Sequence, residues 1–480
     1  MIKNHTLEEI EERINSQSLI SNKENKNFYG EVYTPLHFVK EILNIIPEET
    51  FKNPLYKWLD PGSGTGNFSI ILYYKLLTGL ETVIPNLEER KIHIIKNMIY
   101  MIELRSENII ILKSLFGNDA NIYEEDFLNY NTPSNCLEIS LIHNKPLKFD
   151  IIIGNPPFNT GGQKKVPTND KLKKTEDGLT LWMAFVIKSI SLLYDNTGQL
   201  CIFIPSLWLK PDKHKMYHYL CQYDIQFLNC LSNTKTNRIF KGNAQTPSCY
   251  FLLTKCDNSN TMTIYDECRK EYIDYYLTPS DPIPVFGQTI IRKLQKYCYF
   301  PNNINNAIIV IKSNMPPKSA ILSPIKTEKC KYPNVTTCKL KANSNTPELI
   351  INYSDIPLAF SGVPKLILAH KMYGFPYLDI NGNYGISNRD NYIIIKEKYE
   401  DLLKLKQFLS TKTALYLFEA TRYRMKYLEK YAFQLIPDIT RLPDFPIKIN
   451  DITIADYFKF DKEDRYVIER LHKKIYGFFN

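Results

Sequence analysis

From about residue 30 to residue 255 the sequence alternates short apolar segments with amphipathic ones. The stretch "LLYDNTGQLCIFIPS" (192–206) shows the pattern: a helix end, an Asn-Thr-Gly turn, and then an apolar strand, Leu200–Ile204, ended by Pro205. This alternation predicts a doubly wound α/β domain, in which helices cover both faces of a largely parallel sheet. Because the chain has 480 residues, it has room for at least one further domain.

The proline-containing stretch "LTPSDPIPVF" (277–286) is the best candidate for a linker. Beyond it the sequence is irregular, with short β-like runs such as "KLILAH" (365–370) and a long helical stretch around 398–430. The charge changes as well: residues 281–480 hold 30 Lys and Arg against 19 Asp and Glu, whereas residues 1–280 hold 30 against 32. A basic half beside a neutral half indicates that one part binds a polyanion. A coding bias toward lysine, asparagine and isoleucine explains the surplus equally well.

The N-terminus and the cysteines indicate where the chain works. No apolar run is long enough to span a bilayer, and the start, "MIKNHTLEEIEERINSQ", is too acidic and polar for a signal peptide. The ten cysteines are scattered, with no C-x-x-C pair. We therefore expect an intracellular, cytoplasmic protein with reduced thiols and no structural metal ion. Residues 1–27 are expected to form a charged helical lead-in.

A glycine-rich turn follows an early strand in "KWLDPGSGTGNFSI" (57–70). Gly62, Gly64 and Gly66 let the backbone turn tightly and approach a ligand, and the helix behind them presents free N–H groups. The spacing matches neither the G-x-G-x-x-G dinucleotide fingerprint nor a phosphate loop. Asp60 ahead of the glycines would repel phosphate, but it can accept hydrogen bonds from a cationic or hydroxyl-bearing ligand.

Two more carboxylates follow predicted strands. In "IYMIELRSENI" (99–109) a strand ends at Glu103, where this type of sheet binds ribose hydroxyls, and Ser106 is the predicted N-cap of the next helix. In "IYEEDFLNY" (122–130), Asp126 and Phe127 would bracket a purine, the carboxylate on its amino group and the ring on its face. The alternative for Glu103 alone is an ordinary surface carboxylate at a strand end.

The stretch "FDIIIGNPPF" (149–158) ends a strand in an amide, two prolines and an aromatic ring. A plain turn would not need that combination, although a strand-terminating turn is the simpler alternative. The polar segment that follows, residues 160–178, contains five lysines. It is either a solvated surface loop or a mobile basic flap beside Asn155–Phe158.

The motifs described above, in their order along the chain, resemble those of the amino-methyltransferases that use S-adenosylmethionine. The closest group is the gamma class of N6-adenine DNA methyltransferases, in which the catalytic domain precedes the recognition domain. The segments that carry the resemblance are "GEVYTP" (30–35), "DPGSGTGNF" (60–68), "MIELR" (101–105), "EDFL" (125–128) and "IIIGNPPF" (151–158), with residues 181–209 and 238–255, and more loosely residues 364–377 and 405–439.

The resemblance implies a Rossmann-like, seven-stranded α/β methyltransferase domain at residues 28–278, followed by a mixed α+β target-recognition domain at residues 287–480. It implies S-adenosylmethionine as the cofactor, double-stranded DNA as the partner, and no metal and no membrane. A cognate restriction endonuclease, acting on the same DNA site as a separate chain, is a further implied partner. The recognised DNA sequence is not implied.

The family's motifs assign roles to single residues of this sequence. Tyr33-Thr34-Pro35 is expected to lie against the methionine part of the cofactor, and Asp60 with the glycine loop to hold its amino-acid end. Glu103 is expected to bind the ribose, and Asp126 the adenine amino group. The expected cofactor-binding residues are thus Tyr33, Thr34, Pro35, Asp60, Gly62, Gly64, Gly66, Glu103, Asp126, and Phe127 or Phe185 on a face of the cofactor's adenine.

The implied catalytic group is the tetrapeptide Asn155-Pro156-Pro157-Phe158. An adenine amino nitrogen is a poor nucleophile because its lone pair is delocalised into the ring. Two carbonyls, of the Asn155 side chain and the Pro156 main chain, would accept its hydrogens and draw it toward a tetrahedral geometry. The prolines hold those carbonyls in place. The expected substrate-binding residues are Phe158 and Phe240 on the faces of a flipped base, Lys241 beside them, and Arg422 and Arg424 on phosphates.

Two departures from the family pattern stand out. Glu103 lies 43 residues after Asp60, whereas a minimal strand–helix–strand unit needs roughly 20. The sequence therefore predicts an inserted segment, or Glu103 is the wrong carboxylate. The tetrapeptide ends in Phe158 where tyrosine is commoner, which keeps stacking but loses a hydroxyl.

Other functions share this chemistry. A release-factor type of glutamine methyltransferase, an RNA methyltransferase, a non-catalytic DNA-binding relic, and a fused restriction–modification enzyme are the alternatives. The basic C-terminal half and the "VYTP" element favour a DNA methyltransferase over the first. Intact Asp60 and Asn155 argue against a relic. Transfer to N4 of cytosine stays open, although Asn rather than Ser at position 155 indicates adenine.

Overall fold

The computed structural model of the chain falls into two compact units. The first comprises Met1–Trp208, His214–Ile264 and Asp274–Tyr276, and the second comprises Leu209–Lys213, Tyr265–Ile273 and Leu277–Asn480. The structure describes residues 2, 5–10, 12, 33–129, 147–160, 179–211, 215–242, 244, 246–278, 281–299, 305–340, 344, 346–370, 375–423 and 428–475.

Helices and strands alternate through the part that runs to residue 276. The strands are β1 (Trp58–Asp60), β2 (Ile99–Glu103), β3 (Asn121–Glu124), β4 (Ile151–Gly154), β5 (Asn159–Thr160), β6 (Leu179–Thr180), β7 (Gln199–Pro205), β8 (Tyr223–Leu231), β9 (Ser248–Asp257), β10 (Thr261–Asp266) and β11 (Glu271–Tyr276). The helices are α1 (Leu36–Leu43), α2 (Asn67–Gly79), α3 (Leu87–His93), α4 (Ser106–Phe116), α5 (Trp182–Leu192), α6 (Met216–Leu220) and α7 (Asn233–Ile239), with shorter turns at Glu48–Lys52, Ile94–Met98 and Ser206–Leu209.

Nine of these strands form one sheet, in the order β11-β10-β8-β9-β7-β4-β1-β2-β3. The strands from β7 to β3 in that order are parallel, and β9 runs antiparallel to both β7 and β8. Every residue of β1, β2 and β4 is buried, as expected of parallel strands covered on both faces. The predicted α/β fold with a seven-stranded sheet is confirmed, and β10 and β11 extend it.

The long spacing between Asp60 and Glu103 has a structural explanation. Two helices rather than one, α2 and α3, connect β1 to β2, and a π-helical turn at Ile94–Met98 leads into β2. Asp60 pairs with Met101 in the parallel register, which places Glu103 at the carboxyl end of the neighbouring strand. The predicted insertion is therefore present, and Glu103 is the strand-end carboxylate.

The second unit is a mixed α+β structure. Its strands are β12 (Ile311–Lys312), β13 (Leu322–Ser323), β14 (Tyr332–Lys339), β15 (Glu348–Ser354), β16 (Lys365–Ala369), β17 (Tyr377–Asp379), β18 (Gly385–Ile386) and β19 (Asn391–Ile394). They form two four-stranded sheets, β12-β19-β16-β17 and β13-β15-β14-β18. Its helices are α8 (Gln288–Cys298), α9 (Tyr399–Leu409), α10 (Lys412–Ala420), α11 (Asp451–Tyr457) and α12 (Lys462–Ile475), with 3₁₀ turns at Lys430–Leu435 and Ile439–Arg441.

The stretch 277–286, the predicted linker, begins where the chain leaves the first unit for the last time, and it packs as part of the second unit. Ile283 and Val285 are buried, and their N–H groups bond to the carbonyls of Leu209 and Ala420 within that unit. The stretch around 398–430 is helical as predicted, and it holds two helices, α9 and α10. It breaks before α10, where the Thr411 hydroxyl caps the new helix by accepting from the N–H of Ala414.

Some predictions fall outside the described residues. They concern the polar segment from 161 to 178, Arg424, and most of the lead-in 1–27, of which Ile2 and Ile10 are described and buried. Within the described ranges, no helix is both long and apolar enough to cross a bilayer.

Candidate active site

Three polar side chains lie at the carboxyl ends of adjacent parallel strands. Asp60 ends β1, Glu103 ends β2, and Asn155 directly follows β4, with β1 between the other two. Asp126 comes two residues after β3, the next strand outward. The carboxyl edge of a doubly wound sheet is where such folds bind ligands. The sheet thus brings together residues that lie up to 95 positions apart in the sequence.

The glycine loop between β1 and α2 closes over the end of β2. The N–H of Gly64 donates to Glu103 Oε2 at 2.8 Å, and the N–H of Ser63 donates to the carbonyl of Ile102 at 3.1 Å. Gly66 has a φ of +90°, and a Cβ added there would lie 2.8 Å from a methyl group of Leu112. A side chain at this position would be strained and would also collide, so the sequence needs glycine there.

Asp60 is the most strongly perturbed group of the site. Its side chain is 2% exposed, and Oδ2 accepts a hydrogen bond from the Ser69 hydroxyl at 2.9 Å. Burial, with a smaller contribution from the charge of Glu103, raises the pKa of Asp60 to about 7, although the hydrogen bond from Ser69 opposes the shift. A buried carboxylate of this kind is stabilised by a cationic partner.

The surroundings of Asp60 fit such a partner. Its Oδ1 is buried, and no donor among the described residues reaches it with hydrogen-bonding geometry. Gly154, the last residue of β4, keeps the space beside this atom open, because a Cβ there would lie 3.4 Å from Oδ1. The residues present therefore fit the α-ammonium group at the amino-acid end of S-adenosylmethionine.

Glu103 and the two aromatic residues Phe127 and Phe185 lie farther along the same edge of the sheet. The Glu103 side chain is 8% exposed, and Oε1 accepts from the N–H of Arg105 at 2.9 Å. The N–H of Glu125 donates to the Glu103 carbonyl at 3.0 Å, which brings Asp126 near the end of β2. Phe127 and Phe185 lie together, with ring centroids 5.1 Å apart. Both rings are almost fully buried, with 2% of Phe127 and 6% of Phe185 exposed.

Asp126 orders its own turn. Its carboxylate accepts from the N–H of Leu128 at 2.9 Å and from the Asn129 side chain at 2.6 Å. Leu104, beside Glu103, is a large apolar side chain that is 54% exposed. No local pattern singled out Leu104, because its exposure depends on the path of the chain after β2.

Thr34 links the N-terminal element to the tetrapeptide. Its side chain is 4% exposed, and its hydroxyl accepts a hydrogen bond from Asn155 Nδ2 at 3.0 Å. Its carbonyl accepts from the Asn67 side chain, in the first turn of α2, at 2.8 Å. Tyr33 lies against the glycine loop, where a Cβ on Gly64 would be 3.6 Å from its ring. The predicted cofactor and catalytic elements are therefore joined by side-chain hydrogen bonds.

The tetrapeptide itself lies against the glycine loop. A Cβ on Gly62 would lie 3.9 Å from Pro157 and 3.7 Å from the Phe185 ring, so these three residues adjoin one another. Pro156 is buried, whereas Asn155, Pro157 and Phe158 are partly exposed. The Phe158 ring packs against Phe203 at a centroid distance of 6.0 Å, and the residue is partly exposed.

Phe240 does not have the position predicted for it. Its ring is 3% exposed and stacks on Phe203 at 5.5 Å, with Phe38 edge-on at 6.0 Å. The ring is part of the core, and no face is open to a base. Lys241, the next residue, is exposed at a positive φ of 48°.

The predicted phosphate-binding arginines are only partly described. Arg422 forms an ion pair with Glu419 at 3.1 Å and is 23% exposed. Its neighbour Tyr423 is fully buried and donates to the Ile283 carbonyl at 2.7 Å. Arg424 lies outside the described residues. Arg422 and Tyr423 are therefore both tied to other residues of the protein.

Comparison with known proteins agrees with this geometry. Residues 69–240 match the Eco57I restriction-modification methylase family. An uncharacterized adenine-specific methylase of Mycoplasma pneumoniae is 24% identical over 37% of this chain and 56% of its own length. The type II methyltransferase M.BsuBI of Bacillus subtilis is 24% identical over 43% of this chain and 40% of its own. The resemblance to methyltransferases of restriction–modification systems is confirmed.

These similarities cover only part of each protein. The chain spans about half the length of the curated relatives it matches. Among solved structures, a modification subunit of a putative type I restriction enzyme from Vibrio vulnificus YJ016 superposes with a TM-score of 0.39 at 17% identity. That superposition covers 63% of this chain and 60% of the other.

Proposed function

We propose that this chain is a site-specific DNA methyltransferase that transfers a methyl group from S-adenosylmethionine to N6 of adenine. The observation that carries the proposal is the contact between the tetrapeptide and the glycine loop, at Pro157 and Gly62. It brings a pair of carbonyl acceptors next to a loop whose buried carboxylate, Asp60, favours a cation.

The carboxamide of Asn155 has a defined orientation. Its nitrogen donates to the Thr34 hydroxyl, so its oxygen lies at the opposite corner of the carboxamide and acts as an acceptor. The Pro156 carbonyl is the second acceptor, and a proline at the next position stiffens the backbone that carries it. Two acceptors fixed before substrate arrives polarise an amino group without reorganisation during the reaction.

The cofactor-binding roles follow from the same edge of the sheet. Asp60 and the glycine loop hold the amino-acid end, Glu103 accepts the ribose hydroxyls, and Asp126 accepts from the adenine amino group. Phe127 and Phe185 border the adenine. When bound, S-adenosylmethionine supplies the electrophilic methyl group, and the chain's own part is to bring the reacting atoms to about 3–3.5 Å.

The target adenine has to leave the duplex, which costs a few kcal/mol. Stacking on an aromatic ring contributes ~1–3 kcal/mol per base. Phe158 is the ring we assign to this role, since Phe240 is enclosed in the core. The remaining cost is met by duplex binding, for which the basic residues 281–480 are suited. A restriction endonuclease of the same specificity is the partner that this function implies.

The proposal is tested by offering several substrates to one protein. Full-length protein is incubated with methyl-labelled S-adenosylmethionine and, in parallel, with duplex DNA, RNA and bulk protein. The products are then hydrolysed and the methylated species identified. We expect label in DNA as N6-methyladenine.

The other results would each contradict a defined part. Label as N4-methylcytosine would keep the chemistry and change the base. Label in RNA or in protein would overturn the assigned substrate. Cofactor binding without label in any substrate would favour a DNA-binding relic. Because the cofactor is supplied in every reaction, the three substrates serve as controls for one another.

A further inference from the structure

The second unit carries an exposed segment with unusual composition, residues 309–331. From residue 314 to residue 329 no side chain is buried. Five lysines, at positions 312, 318, 326, 329 and 331, are exposed there, against a single acidic residue, Glu328. Six of the unit's exposed large apolar side chains also lie in it: Ile309, Ile311, Met315, Ile321, Leu322 and Ile325, with 41% to 71% of each exposed.

The lysines of this segment differ from many basic residues of the same unit. Arg269 and Lys293 both bind Asp461 and Asp464, and Lys412 binds Glu469. None of the five lysines at 312–331 forms an ion pair with a described residue. Lys331 Nζ lies over the Tyr332 ring, 5.4 Å from its centroid. The five lysines are exposed, so their charge is available to an external partner.

The segment is held in place despite its exposure. The buried Ser313 anchors one end, with its N–H donating to the Asn391 carbonyl at 2.9 Å and its hydroxyl to the Asn388 carbonyl at 2.6 Å. The buried Cys330 anchors the other, with Sγ 3.6 Å from the Ile321 carbonyl. Between them, the N–H of Ile321 donates to Asp355 Oδ1 at 2.8 Å. Because these contacts already hold the segment, less conformational entropy is lost when it binds a partner.

A purely protective role does not explain the composition. β12 and β13 are edge strands, and lysines at edges discourage pairing with other chains. That role would be served better without exposed isoleucines, since an apolar edge invites the association that the lysines oppose. Lysines interspersed with apolar side chains instead match a partner that is anionic on its surface and also exposes apolar atoms, such as sugar carbons and thymine methyl groups.

We propose that residues 309–331 form the surface by which the second unit binds duplex DNA. The lysines contact phosphates, and the apolar side chains between them lose water against sugars and base edges. This inference rests on the proposed function, which supplies the DNA. It replaces the predicted phosphate contact of Arg422, which forms an ion pair with Glu419.

The test compares two triple variants of the full chain with equal loss of charge. The first carries Lys318→Ser, Lys326→Ser and Lys329→Ser. The matched control carries Lys398→Ser, Lys404→Ser and Lys448→Ser, which are exposed lysines of the same unit outside the segment. Affinity for a fluorescent duplex is measured by anisotropy over a range of KCl concentrations. The binding of S-adenosylmethionine and the melting temperature verify that each variant is folded.

Each phosphate contact contributes about 0.9 to the slope of log affinity against log salt. We expect the first triple to reduce that slope by up to about 2.7 and the control triple to leave it near the wild-type value. Ile321→Ser with Ile325→Ser is expected to weaken binding and leave the slope unchanged. Equal slopes for both triples would overturn the inference, as would binding to acidic protein or anionic vesicles that depends on these lysines while DNA binding does not.

The two proposals fail in different ways. If the wild type methylates RNA or protein and not DNA, the proposed function fails. If the wild type methylates DNA and the first triple binds and methylates it equally well, only the assignment of the surface fails.

Discussion

Replacing Asp60 by asparagine removes a buried carboxylate. Burial raises the pKa of this group to about 7. The unfolded chain has the ordinary value near 3.9, and this difference corresponds to about 4 kcal/mol at 1.36 kcal/mol per pKa unit. Because the folded-state pKa is raised, Asp60 favours the folded state most at low pH. That contribution is lost as the pH rises from about 4 to about 7.

Without cofactor, Asp60→Asn should therefore be more stable than the wild type at pH 8.5, by up to about 4 kcal/mol, and the gain should shrink toward pH 5. Tryptophan fluorescence during urea unfolding measures this directly. The chain has three tryptophans, Trp58, Trp182 and Trp208, and all are buried in the first unit. The signal consequently reports that unit and not the second.

Cofactor binding should respond to pH in the opposite sense. A cation at Oδ1 requires the ionised carboxylate, so affinity for S-adenosylmethionine should rise about tenfold from pH 6 to pH 8 and level off above the pKa. Asp60→Asn should lose most of the affinity at both pH values. Equal stability of the two proteins at pH 8.5, or an affinity that is flat across this range, would refute the reasoning.

Three further substitutions test other contacts of the structure. Thr34→Val removes the hydroxyl that holds the tetrapeptide's amide and should lower single-turnover methylation about 3–10-fold with little change in cofactor affinity, whereas Thr34→Ser should restore it. Gly66→Ala should destabilise the first unit by about 1–3 kcal/mol in urea unfolding, and Gly242→Ala, with a similar φ of +86° but no atom within 4 Å, should cost less; equal costs would contradict the collision. Asp379→Ala leaves the buried Lys365 ammonium without its carboxylate and should destabilise the second unit by about 3–5 kcal/mol, measured by limited proteolysis; unchanged protection would contradict it.

The strand ends of the site were predictable because local patterns determine them. An apolar run followed by Asp60, by Glu103 or by Asn155 ends a strand in any fold of this class, and parallel strands share one carboxyl edge. The side chains that contact these strand ends were harder to predict. Ser69 donates to the Asp60 carboxylate, and the Asn67 side chain donates to the Thr34 carbonyl. The only sequence signal for these two residues was their place in the helix after the glycines.

The failures have one physical origin, since burial and pairing depend on contacts distant in sequence. Phe240 had the composition expected of a base-stacking loop, and Phe38 and Phe203 enclose it. Arg422 was expected to contact phosphate, and it forms an ion pair with Glu419. The predicted start of α4 was off by one residue, because its N-cap is Arg105 and not Ser106.

The most direct test of the central claim is single-turnover methylation of duplex DNA by Asn155→Ala, with S-adenosylmethionine affinity measured on the same preparation. If the Asn155 carboxamide is one of two acceptors for the adenine amino group, the rate of N6-methyladenine formation should fall by about 100-fold or more while cofactor affinity stays near the wild-type value. A variant that methylates DNA at the wild-type rate would contradict the account.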